Sequence, residues 1–177
     1  MTIGDTMLMI VDDGRAREKM TNSVHIDTKL MMAVEDISDV DPIEVRILKK
    51  RAVDAEDHLL SFNWCTSVKK LWFAGGFSSV AVFFAQIESV NYDENLWVIV
   101  GDLPPAHLVI DDIPDFKEAL LSYVYHMRKW VSAVKKGRST RNCIPVNVIP
   151  DIKNAEMLEV RLDFIERNYA PSIGGNG

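Results

Sequence analysis

The chain predicts an α+β fold, and three observations carry that expectation. Apolar residues recur every three or four positions in three separate stretches; β-branched and aromatic runs replace that period between Val68 and Asp111; and the connections between those runs are short and rich in Gly, Pro, Asn and Asp. Together they predict an N-terminal helix, a four-stranded antiparallel meander and two C-terminal helices. Residues 41–170 read as one domain, 1–40 as a poorly defined extension or hairpin, and 171–177 as a flexible tail.

In the N-terminal segment, Thr6–Val11 has strand character, and Val24, Ile26, Leu30, Met32 and Val34 fall at even spacing, which suits a hairpin. The first firm element starts at Asp41-Pro42-Ile43-Glu44, where Asp41 can cap, Pro42 suits the first helical position and Glu44 occupies the capping-box site. A helix to about Phe62 follows, with Leu48, Ala52, Ala55, Leu59 and Phe62 on one face and Lys50 and Asp54 as an i,i+4 pair on the other.

Strands are expected at Val68–Ala74, Ser79–Val90, Leu96–Asp102 and His107–Asp111, joined by Gly75-Gly76, Asn91–Asn95 and Leu103–Ala106. In the second of these both alternating sets are apolar: Val80, Val82 and Phe84 on one side, and Ala81, Phe83, Ala85 and Ile87 on the other. A strand of that kind is covered on both faces, by helices or by another chain. The helix expected over Asp115–Lys136 carries Phe116, Leu120, Val124, Met127, Val131 and Val134 on one stripe and stops at Gly137. Asp151 or Asn154 can cap a last helix that carries Ala155, Leu158, Leu162, Ile165 and Tyr169.

Composition narrows the function classes. The 177 residues are 47 % hydrophobic and 26 % charged, ordinary for a folded domain and unlike a disordered or low-complexity chain. A net charge of -6 disfavours a protein whose main task is to coat phosphates, so nucleic acid is not the expected partner. The apolar run Leu71–Ile87 is broken by glycines, serines and Gln86, and suits buried strands better than a membrane span. Met7–Val11 has no basic residue before it and Asp12-Asp13 directly after it, unlike a signal peptide. Cys65 and Cys143 lie far apart without CxxC spacing and read as free thiols, which suggests a cytoplasmic protein.

Few residues present chemistry-bearing patterns. Leu8–Asp13 resembles the end of the first strand in receiver domains of two-component response regulators, where paired acids help hold Mg²⁺. The resemblance covers those six residues only, because Asp54 and Asp57, at the distance where a receiver would place its phosphoacceptor, sit inside an amphipathic helix. Asp102 and His107 flank Leu103–Ala106 and could face each other across that hairpin as an orienting acid and a base, near Gly75-Gly76, Ser78 and Ser79. No GxSxG elbow accompanies them, so they are weak catalytic candidates. His126 should pack beside Tyr123 and Trp130, while His25 and His58 look isolated. Without HxxxH, HExxH or a Cys/His cluster, neither a metal site nor a cofactor is expected.

The meander should bring Asp93, Glu94, Asp111 and Asp112 to one end of the sheet, and Leu71–Phe116 contains no Lys or Arg at all. Such an acidic face would steer a basic protein partner. Arg128, Lys129, Lys135, Lys136, Arg138 and Arg141 form a basic stretch, part of which matches the dipole at a helix C-terminus. The functional expectation is a non-catalytic, acidic protein-binding module, comparable in size and charge to immunity proteins or secretion chaperones by analogy only. The alternatives are a small-molecule binder or enzyme that uses the Gly75, Asp102 and His107 corner, and a homodimer built on the two-sided strands.

Overall fold

The structure, a computed structural model, describes residues 26–37, 42–77, 79–90 and 93–169. Leu8–Asp13, His25, the Asp41 cap, Ser78 and the 171–177 tail therefore lie outside the described residues. The fold is α+β, with a five-stranded antiparallel sheet in the order β1-β2-β3-β4-β5 and three α-helices. In chain order these are β1 (Met32–Ala33), α1 (Pro42–Leu60), β2 (Cys65–Phe77), β3 (Val80–Ser89), β4 (Asp93–Gly101), β5 (Ala106–Val109), α2 (Phe116–Lys135) and α3 (Ile152–Tyr169).

Five strands replace the expected four. The extra one, β1, comes from the segment read as an extension or hairpin, and it pairs Met32 with Phe73 and Ala33 with Trp72 on the outer edge of β2. Short 3-10 turns at Thr28–Leu30 and Val34–Asp36 flank it, while Thr6–Val11, the other expected strand of the hairpin, lies outside the described residues. Met31 packs on one face of the sheet and Val34 on the other, so the segment crosses the sheet edge.

Three layers result. Val80, Val82, Phe84, Trp97 and Ile99 meet α2 and α3 on one face; Ala81, Phe83, Ala85, Leu96, Val98 and Val100 meet Ala52, Ala55 and Leu59 of α1 on the other. Both apolar sets of β3 are thus covered by helices of the same chain, and the two-sided pattern needs no second copy to explain it. In β2, Val68 and Leu71 reach the same face despite their odd spacing, because the register against β3 slips between Val68 and Lys70.

The caps act as the residue types dictate. Asp115 accepts from the Lys117 and Glu118 amides at 2.8 and 3.0 Å, and Asp151, not Asn154, caps α3 by accepting from the Asn154 amide at 2.8 Å. Gly75 and Gly76 have different jobs. A Cβ on Gly75 would come within 2.6 Å of the Phe116 ring, so the missing side chain lets α2 start against the sheet, whereas Gly76 holds φ +123° at the β2–β3 turn.

Candidate functional site

Helix α1 and the β4–β5 hairpin together form the most chemically varied corner of the described molecule. Arg51, Asp54 and His58 recur at spacings of three and four, a polar row beside the apolar stripe of Ala52, Ala55 and Leu59. That row faces the hairpin. Arg51, only 12 % exposed, bonds Asp102 at 2.7 Å and Asp54 at 3.4 Å, while Lys50 closes the expected pair with Asp54 at 3.1 Å. Two turns further along α1, His58 Nε2 lies 3.3 Å from His107 Nδ1.

The hairpin therefore does not join Asp102 to His107 as orienter and base; each docks on its own α1 partner. Both imidazoles sit among rings, with Phe62 and Trp64 at 4.9 and 5.1 Å from His107. Burial pulls His107 down to about 4, and burial together with the neighbouring His107 pulls His58 down to about 4, so both are neutral at pH 7. Beside the pair opens a cleft of about 450 Å³, lined by Lys50, Arg51, Asp54, Asp57, His58, Val100, Gly101, Leu103 and Pro105.

Gly75 does not belong to this corner. It pairs with Val82 and meets Phe116 on the α2 face, whereas Val98, the register partner of His107, packs toward α1. Ser79 approaches through its backbone, its carbonyl accepting from the Asp102 amide at 2.8 Å. Sequence reasoning missed Arg51 and took His58 for an isolated residue. The available signal was their spacing of seven, which places both on one helix face.

At the other end of β4, Glu94 is half-buried and Asp111 and Asp112 are exposed. Burial raises the Glu94 carboxyl, and the charge of Asp111 raises it further; the β4–β5 register, which pairs Leu96 with Val109, runs toward both residues. Asp112 takes φ +64° in the turn after β5. Asp93 opens β4 with its backbone in register with Glu88. Burial raises the Cys65 thiol, and Glu94 adds to it. Cys65 and Cys143 are both free thiols.

Elsewhere, His126 packs edge-on against Tyr125 at 5.3 Å, because Tyr123 and Trp130 are taken into the core. The Tyr123 hydroxyl donates to the Pro104 carbonyl at 2.7 Å and ties α2 to the β4–β5 hairpin. Among the described residues, no three His, Cys, Asp or Glu side chains converge on a metal position, and no helix is long and apolar enough to cross a membrane. Compared with protein-family models, curated proteins and solved structures, the chain matches none.

Proposed function

We propose that this protein is a non-catalytic binding module that captures a basic protein partner on the Glu94, Asp111 and Asp112 end of its sheet, with Asp93 adjoining. The observation that carries this reading is the β4–β5 register, which pairs Leu96 with Val109 and so runs toward Glu94 and Asp111, in a stretch, Leu71–Phe116, that contains no Lys or Arg. Like charges held together raise one another's energy, and a cation from a partner relieves that cost. The engagement of Asp102 by Arg51 and of His107 by His58 supports a non-catalytic reading, since each candidate catalytic group is held by a partner on α1. Two free thiols suit the reducing cytoplasm.

The test is stopped-flow association with the partner recovered from the native host, for parent protein and for the Asp93→Asn, Glu94→Gln, Asp111→Asn, Asp112→Asn variant. Association should slow about tenfold or more at low salt and much less near 1 M salt, with dissociation changed less. Equal association rates at low salt would remove the reading.

A second reading is a small-molecule binder at the α1 cleft, favoured by the roughly 450 Å³ space beside the neutral His58–His107 pair. It predicts saturable binding of a small ligand that Arg51→Gln and His58→Gln weaken.

A further inference from the structure

The basic stretch singled out in the sequence divides once the chain is folded. Arg128 ion-pairs with Asp163 and Glu166, and Lys135 with Glu159, so these two cations fasten α3 to α2. Lys129 and Arg138 have no carboxylate partner among the described residues, and they line one groove.

That groove, about 370 Å³ in volume, lies between the solvent side of α2 and the chain that returns after it, and is lined by Tyr125, Arg128, Lys129, Ser132, Ala133, Arg138 and Ser139. The five α2 positions recur at spacings of three and one along one helix face. Gly137, at φ +61°, makes the reversal that supplies the other wall. The Arg138 amide bonds the Ala133 carbonyl at 2.8 Å and the Gly137 amide bonds the Val134 carbonyl at 3.0 Å, which folds Arg138 and Ser139 back against α2. Ser139 accepts from the Arg141 amide at 3.3 Å, and its own proton remains to donate.

We propose that this groove binds the phosphate monoester group of a small organic ligand. Lys129 and Arg138 supply the charge, the Ser132 and Ser139 hydroxyls donate to phosphate oxygens, and Arg128 forms the floor while Asp163 and Glu166 hold it. A phosphoryl dianion matches two cations and two donors from opposite walls better than a single carboxylate does. A small ligand suits the site better than an RNA strand. The one ring that lines the groove, Tyr125, already has the Lys129 ammonium over it at 4.5 Å, which leaves no row of stacking platforms there, and the protein carries a net charge of -6. This site lies on another element from the carboxylates of β4 and β5, and it stands or falls independently of them.

The experiment is calorimetric titration at low salt with inorganic phosphate, glycerol 3-phosphate and a short single-stranded RNA. Parent protein, Lys129→Gln/Arg138→Gln and Ser132→Ala/Ser139→Ala are compared, with circular dichroism to confirm that each variant is folded. Saturable binding of glycerol 3-phosphate that weakens about tenfold or more in the charge variant and about threefold or more in the serine variant is the expected result. The proposal is overturned by lack of saturation up to about 10 mM phosphate ester, by equal affinity in parent and charge variant, or by RNA binding without phosphate-ester binding.

Discussion

Lowering the pH from 7 to 5 should destabilise this protein through His58 and His107. Both titrate near 4 in the folded protein, against an ordinary value of 6.5. Between those values the unfolded chain binds protons that the folded one refuses, so stability is fully present above pH 6.5 and falls as the pH drops toward 4. At pH 5 the unfolded histidines are almost fully charged while the folded ones are nearly all neutral, which costs about 2 kcal/mol for each, or about 4 kcal/mol together, relative to pH 7. His126, lowered by burial and Lys129, acts in the same direction; Glu94, raised, acts against it by favouring the folded state on acidification. Asp54, Asp57, Lys50 and Arg51 line the neighbouring cleft and stay in place in the control. Urea melts at half-unit pH steps on the parent and on His58→Gln/His107→Gln give the answer. The double variant should lose most of the acid sensitivity between pH 7 and 5, and an unchanged pH slope would show that the pair is not the origin.

Two substitutions test the packing on the α2 face of the sheet. Phe84→Ala removes a ring held between Trp72 and Trp97, at centroid distances of 5.8 and 5.3 Å, and should cost about 3–5 kcal/mol in urea melts; a loss under about 1 kcal/mol would mean that β3 is not central. Gly75→Ala places a methyl within 2.6 Å of Phe116 and should cost about 1–3 kcal/mol, most of it recovered in Gly75→Ala/Phe116→Ala relative to Phe116→Ala alone, as a double-mutant cycle would show.

The three α-helices were legible in the sequence because their information is local. The stripes of α1, α2 and α3, the Asp151 cap and the Gly137 stop all lie within a few residues of what they control, and both apolar sets of β3 announced a strand covered on two sides. Partnership across long separations was not legible. Met32–Ala33 is too short to show a period and becomes a strand only because the edge of β2 offers it hydrogen bonds at Trp72 and Phe73. Gly75 looked like part of the Asp102 and His107 corner until the packing of α2 set Phe116 against it on the opposite face. His58 meets His107 across 49 residues and Arg51 meets Asp102 across 51, because α1 packs across β2, β3 and β4 and its polar row reaches the β4–β5 hairpin. Periodicity says that a helix has a buried face; which strands that face covers is fixed by the packing of all three layers at once, and the polar row beside it takes its partners from that choice.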